Sequence, residues 1–111
     1  MTGTIKIAFM GYNQVQTYMY FREFAEVNAE AIDRVDFKKG LILLKDGTVI
    51  MRVYPGQHLD GYRFDQYILA DDTRGQIYSY QRDSVAWLRY CCATSRYPEE
   101  FWEQWYNLDA H

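Results

Sequence analysis

The sequence contains few of the residues that cross-link a chain or bind metals. Its two cysteines, Cys91 and Cys92, are adjacent, and neighbouring cysteines cannot join two distant elements of a fold. A disulfide-stabilised secreted domain is therefore not expected, and a reducing compartment such as the cytoplasm is. The two histidines, His58 and His111, lack the spacing of metal ligands. The sequence predicts no metal and no cofactor.

Long hydrophobic runs and excess positive charge are also missing. No apolar stretch approaches the ~20 residues that cross a membrane, and residues 1–7 lack the apolar core of a signal peptide. The net charge is −3, whereas a general nucleic-acid binder is usually basic. These absences favour a cytoplasmic protein whose partner is another protein, make nucleic acid a weaker candidate and exclude a membrane.

Aromatic residues, by contrast, are abundant. They make up 18% of the 111 residues, with 11 Tyr, 6 Phe and 3 Trp. Because one domain of this length has a limited interior, some of the tyrosines are expected at the surface. Surface tyrosine buries contact area at low entropic cost and keeps a polar group, which favours an interaction role.

The hydrophobic pattern predicts a single α/β domain over residues 1–111. Extended segments are predicted at residues 4–10, 34–37, 41–44, 48–54 and 65–70, with a hairpin turn at Asp46-Gly47. Long helices are predicted at residues 14–31, with Asn13 as N-cap, and at residues 76–96. Pro98 is expected to open a third helix at residues 99–106. The prediction is a mixed sheet of about five strands with a β-hairpin, packed by two long helices and a short C-terminal helix.

Two stretches resemble known nucleotide-handling proteins. Residues 11–18, GYNQVQTY, join the first predicted strand to a helix, and residues 67–72, YILADD, end a later strand in two aspartates. This layout resembles the core of P-loop NTPases of the RecA or terminase kind, and residues 61–72, GYRFDQYILADD, resemble short phage and prophage proteins. The resemblance implies a degenerate P-loop-like or Rossmann-like core. The Gly-Lys-Ser/Thr that binds phosphate is missing, so no NTP hydrolysis is expected.

Asp71 and Asp72 are the candidate metal or nucleotide residues of this resemblance. At the carboxyl edge of a sheet they would hold magnesium, together with Asp65 or Asp60. The alternative is that Asp71 caps a loop and Asp72 caps the approach to the next helix. Cys91 and Cys92 are expected in the core, since no neighbouring base would activate either of them. With no catalytic constellation, the protein is not predicted to be an enzyme.

The C-terminal segment is the candidate interface. On the predicted helix its aromatic residues would either cover the core or present an acidic, aromatic surface to a partner. The candidate residues are Phe101, Trp102, Trp105, Tyr106, Glu99 and Glu103. A basic cluster, formed by Arg34, Lys38, Lys39 and Lys45, would either contact phosphate or guard a solvated sheet edge against aggregation.

Taken together, these features favour a small non-enzymatic binding or inhibitor protein. It would be encoded by a phage or another mobile element and act through protein–protein contacts, for example in an anti-defence or anti-CRISPR role. Its expected partner is a host or phage protein, with a homo-oligomer as a further possibility. The alternative is a degenerate nucleotide-binding or nucleic-acid-processing accessory domain of phage origin.

Overall fold

The structure, a computed structural model, describes residues 4–57, 61–70 and 82–106. In chain order its elements are β1 (Lys6–Met10), α1 (Gln14–Val27), β2 (Ile32–Asp36), β3 (Leu41–Leu44), β4 (Val49–Arg52), β5 (Gln66–Ala70), α2 (Arg82–Cys91) and β6 (Glu103–Tyr106). Single 3-10 turns, Ala29–Ala31 and Glu99–Phe101, precede β2 and β6.

The six strands form one mixed sheet in the order β2-β3-β4-β1-β5-β6. β1 lies in the middle and pairs in parallel with β4 and β5, and β5 pairs in parallel with β6. β3 is antiparallel to both of its neighbours, so within the described ranges it runs against the other five strands. The predicted α/β class and mixed sheet are confirmed, as is the hairpin, whose first strand ends at Leu44 as expected.

The two helices cover opposite faces of the sheet. Side chains alternate along a strand, and accordingly Ala8 and Met10 belong to one core cluster while Phe9 belongs to the other. Phe9 packs with Phe21 of α1, whereas Ala8 and Met10 pack with residues of α2 such as Leu88. We refer to these two sides as the α1 face and the α2 face.

The start of α1 is the one that the sequence predicts, and its end is earlier. The Asn13 side chain accepts a hydrogen bond from the Gln16 N–H at 2.8 Å, which confirms Asn13 as the N-cap. At the other end, the Asn28 side chain and backbone N–H both donate to the Phe24 carbonyl. These bonds close the helix at Val27. Of the four further residues that were predicted as helical, Asn28 is the C-cap and Ala29–Ala31 form a tighter 3-10 turn.

The predicted C-terminal helix over residues 99–106 is wrong. After the single 3-10 turn the chain extends into β6, which makes six strands rather than about five. Trp105 and Glu103 point to one face of the sheet and Tyr106 to the other, the alternation of a strand. The open edge of β5 supplies the hydrogen bonds, including the 2.9 Å bond from the Tyr67 N–H to the Trp102 carbonyl.

The second helix is shorter at its end than the sequence predicts. α2 ends at Cys91 rather than at residue 96, because the chain turns there and the Ser95 hydroxyl donates to the Asp65 carbonyl at 2.6 Å. The predicted helical residues 76–81 lie outside the described residues. In the ranges that the structure describes, neither helix has the length and apolar character needed to pass through a bilayer.

Candidate functional site

The first candidate site is the carboxyl edge of the sheet, where β1 and β5 end side by side. Met10 is paired with Leu69, and the chain leaves β1 toward the α1 face while the helix after β5 packs on the α2 face. Neighbouring strands whose connections diverge in this way create the crevice in which many α/β folds bind ligands. This edge is therefore a candidate position for a ligand, which the side chains and backbone amides there would have to hold.

The loop after β1 is bonded to its own helix. The buried Thr17 hydroxyl accepts the Gly11 N–H at 2.9 Å and donates to the Asn13 carbonyl at 2.6 Å. Only glycine fits at position 11 when the loop lies this close to Thr17, because a Cβ there would be 2.9 Å from the Thr17 backbone nitrogen. In a phosphate-binding loop the backbone amides point outward to the anion. Here the Gly11 and Gln16 amides are already used within the protein, so the loop differs from a phosphate cradle in geometry as well as in sequence.

Replacing Thr17 by Val should lower the free energy of unfolding by about 1–3 kcal/mol, because the buried Gly11 N–H loses its acceptor while the volume of the side chain is kept. Urea denaturation would measure the change. Thr17→Ser is the matched control, since it retains the hydroxyl and loses one methyl group. Equal stability of the Val variant and the wild-type protein would contradict this role for the hydroxyl.

The two aspartates predicted as metal or nucleotide residues, Asp71 and Asp72, lie outside the described residues. Asp65, suggested as their companion, precedes β5 and therefore lies at the opposite edge of the sheet from Ala70. There its carboxylate accepts the Lys6 N–H at 3.0 Å and pairs with Arg96 at 3.3 Å. Asp65 is thus a structural residue. Over the ranges 4–57, 61–70 and 82–106, no group of three or more potential metal ligands is brought together.

The two adjacent cysteines lie in the core under α2, as predicted. Both are free thiols and buried. Burial raises the pKa of the Cys91 thiol, and burial together with the neighbouring Cys91 raises the pKa of Cys92 to about 12. A nucleophilic cysteine needs the opposite shift, toward thiolate at neutral pH. Their environment is that of packing residues.

The aromatic C-terminal segment is largely attached to the core. Trp102 and Trp105 pack against the α2-face cluster, and Tyr106 packs on the α1 face. The indole N–H of Trp102 donates to the Tyr97 carbonyl at 2.9 Å, and that of Trp105 donates to the Glu103 carboxylate at 3.0 Å.

Of the remaining predicted interface residues, Glu99 and Glu103 bond within the protein and Phe101 is exposed to solvent. Glu103 also accepts a hydrogen bond from the buried Tyr67 hydroxyl at 3.1 Å, and Glu99 is paired with Arg89. Phe101 differs from the other aromatic residues of the segment, since it is 52% exposed. The structure therefore gives most of this segment a packing role in addition to any contact with a partner.

The second candidate site is an uncovered part of the α2 face. The strand register places side chains from four strands in two rows that cross the sheet. One row runs Arg34, Leu43, Val49, Lys6, and the next runs Asp36, Leu41, Met51, Ala8. α2 covers the second row only as far as Met51, and Leu41, Leu43 and Val49 belong to neither core cluster.

These side chains form the floor of a continuous depression, which we call the open groove. It consists of two adjoining cavities of about 390 and 460 Å³ that share Leu41 and Val49. The segment of residues 61–64, with Tyr62 packed against the α2-face cluster, forms the wall toward α2. The floor is aliphatic: Leu41, Leu43, Val49 and Met51 are all partly exposed. An aliphatic floor that is partly open to solvent offers apolar contact area to a partner.

Exposed basic side chains surround the open groove. They are Lys6, Arg34, Lys39 and Arg63, and the acidic side chain of Asp36 is the exception. Within the described part of the chain, none of these four cations pairs with a carboxylate. Of the basic cluster predicted from the sequence, Arg34 and Lys39 belong to this rim, whereas Lys45 lies in the turn between β3 and β4.

Sequence reasoning missed the open groove, although a signal was present. Residues 41–44, LILL, are apolar at every position, and residues 49–51, VIM, continue the pattern on the return strand. A strand that is apolar on both sides is one with two faces to cover. Ile42 and Ile50 face α1 and are buried, so their neighbours need cover on the other side.

Comparisons of the chain with protein-family models, curated proteins and solved structures found no match. Function is therefore argued from the surfaces described above, since a fold class by itself does not imply an activity.

Proposed function

We propose that this protein is a non-enzymatic binding protein that acts through contacts with another protein. The observation that carries the proposal is the open groove, an apolar sheet face between Arg34 and Lys6 that no helix of the described residues covers. Burying aliphatic surface of this kind is the main source of affinity in protein complexes. An inhibitor that occludes a host protein would work in this way without any catalytic group.

The proposed origin and the proposed location of the protein each rest on one observation. A phage or mobile-element origin, and with it an anti-defence or anti-CRISPR role, rests on the resemblance of residues 61–72 to small phage proteins. A cytoplasmic location rests on the free, buried cysteines, which suit a reducing compartment. Phe101, with Glu99 and Glu100 beside it, is proposed as a secondary contact outside the groove.

A groove-directed capture experiment tests the proposed function. The wild-type chain, a Leu43→Glu variant and a Val15→Glu variant would be immobilised and exposed to the same host extract. Val15 is the matched control because it is 65% exposed and lies on α1, on the other face of the sheet. We expect a protein that is retained by the wild type and by Val15→Glu and lost with Leu43→Glu. Equal capture by all three baits would refute a groove-based function.

A degenerate nucleotide-binding domain is the second candidate, favoured by the side-by-side carboxyl ends of β1 and β5, whose connections lead to opposite faces of the sheet. We expect no phosphate release from ATP or GTP with magnesium, because no lysine and no second glycine are present in residues 11–17 to hold the phosphates. A rise in melting temperature with nucleotide and magnesium that is lost in Asp71→Ala would support binding without hydrolysis. An unchanged melting temperature would count against this candidate.

A further inference from the structure

The chemistry of the open groove indicates what kind of partner it accepts. On the α1 face, α1 packs across the central strands, with Ile42, Ile50 and Phe9 all buried beneath it. On the α2 face, the β2–β4 half of the same sheet lacks such a layer in the described part of the chain. In α/β folds the apolar faces of the sheet are packed by helices, so a helix is the element that would cover this half.

The geometry of the floor suits a helix as well. Leu43 and Val49 are paired neighbours in one row and Leu41 and Met51 in the next, so the apolar strip is two residues wide in each direction. An amphipathic helix presents an apolar stripe from positions i, i+3, i+4 and i+7, which can lie along an apolar strip of this kind. The residue 61–64 segment lies along one side of this strip.

The charges around the open groove then indicate which side chains that helix should carry. Both ends of the first row are basic, Arg34 at β2 and Lys6 at β1, and Lys39 and Arg63 extend the basic rim. The rim stands out because the whole chain carries a net charge of −3. Unpaired cations around an apolar floor attract carboxylates placed beside an apolar stripe, and they repel a basic helix.

We propose that the open groove binds an amphipathic helix of a partner protein whose apolar stripe is flanked by Asp and Glu. The inference rests on the proposed binding function and adds the chemical class of the partner. Leu41, Leu43, Val49 and Met51 receive the apolar stripe, and Lys6, Arg34, Lys39 and Arg63 pair with its acids. Nucleic acid also carries negative charge, but its bases stack on aromatic side chains. In the described lining of the groove the aromatic residues are Tyr62 and Phe64 of the wall, where Phe64 is buried and Tyr62 packs against the α2-face cluster, and the floor is aliphatic.

Synthetic peptides provide the test. Three fluorescent peptides of about 18 residues, roughly five helical turns, would be compared, and the first two would share one leucine stripe. The flanking positions would be glutamate in the first and lysine in the second, and the third would have the composition of the first in scrambled order. Titration with the full chain, followed by fluorescence anisotropy, should show the acidic helix binding at least about tenfold more tightly than the other two. Raising the salt concentration from about 0.05 to about 0.5 M should weaken it.

Two sets of variants tie binding to the groove. Leu43→Glu should abolish binding of the acidic peptide, and Val15→Glu should leave it unchanged. Arg34→Glu combined with Arg63→Glu should transfer the preference to the lysine peptide, which a loss of folding would not do. Equal binding of both charged peptides, no effect of Leu43→Glu, or tighter binding of single-stranded DNA than of the acidic peptide would overturn the proposal.

The outcome separates this inference from the proposed function. If the capture experiment yields a groove-dependent protein that the Arg34→Glu, Arg63→Glu variant still retains, the binding function stands and the acidic-helix class is wrong. Concentration-dependent self-association that is lost in Leu43→Glu would identify a second copy of this chain as the occupant and would also overturn the inference. If neither groove-dependent capture nor peptide binding is found, both proposals fail.

Discussion

Alkaline pH should destabilise the fold strongly, by about 2–4 kcal/mol for each of two buried groups as the pH rises from about 9 to about 12. Burial is the main cause that raises the pKa of Tyr67 from 10.0 to about 12, although the hydrogen bond from Arg89 partly opposes it. Burial likewise raises the pKa of Cys92 from 9.0 to about 12. A raised pKa means that the unfolded chain ionises first. The stability is therefore complete below the unfolded-state value and is lost as the pH approaches the folded-state value.

Urea denaturation at pH 8, 10 and 11 would measure this loss, with the pH values chosen as approximate points across the window. The variants Tyr67→Phe and Cys92→Ala each remove one titrating group and should lose less stability between about pH 8 and 11 than the wild type does, whatever their stability at neutral pH. Each variant differs from the wild type at one position, so a smaller loss of stability reports on the group that was replaced. Parallel loss of stability in the wild type and both variants would contradict the assignment to these two groups.

Replacing Trp105 by Ala should lower the free energy of unfolding by about 2–4 kcal/mol, whereas Phe101→Ala should cost less than about 1 kcal/mol. Trp105 packs against the α2-face cluster from β6 and is paired in the sheet with Leu69. Phe101 is 52% exposed and lies in the 3-10 turn before the strand. Comparing the two variants therefore distinguishes a residue that packs in the core from a residue that is exposed, within one short segment.

Thermal or urea unfolding of both variants, together with capture of the partner found with the wild-type chain, would distinguish the roles. We expect the Trp105→Ala protein to be less stable than the wild type and the Phe101→Ala protein to be about as stable as the wild type. Weaker capture by Phe101→Ala would identify the segment as a secondary contact. A stable Trp105→Ala protein with weakened capture would restore the sequence-based hypothesis that this tryptophan belongs to the interface.

Local signals in the sequence were sufficient for the parts of the fold whose bonds are local. Asn13 and Gln16 are three residues apart and form the predicted capping bond, and Asp46-Gly47 forms the predicted turn, in which the Asp46 carboxylate accepts the Thr48 N–H at 2.9 Å. Both arrangements depend on a few consecutive residues, so their chemistry can be read from the chain alone.

The parts that sequence reasoning got wrong or missed depend on distant residues. Aromatic positions 101, 102, 105 and 106 fit a helical stripe, and what makes residues 103–106 a strand is the free edge of β5 more than thirty residues earlier. The open groove likewise depends on which half of the sheet α2 covers, a matter of register between elements. Position in the sheet, rather than residue type, decided both outcomes.

The place of β1 at the centre of the sheet has a consequence for biosynthesis. Its partners on either side, β4 and β5, are made roughly forty to sixty residues later. A nascent chain leaving the ribosome therefore holds β1 unpaired until β4 has emerged, and paired on one side only until Ala70 has emerged. During that interval residues 6–10 and 41–44 are both candidates for contact with a chaperone. A circular permutant that begins with β5 would make β1 after one of its partners already exists, which would shorten the interval and should raise the soluble yield at high expression rates.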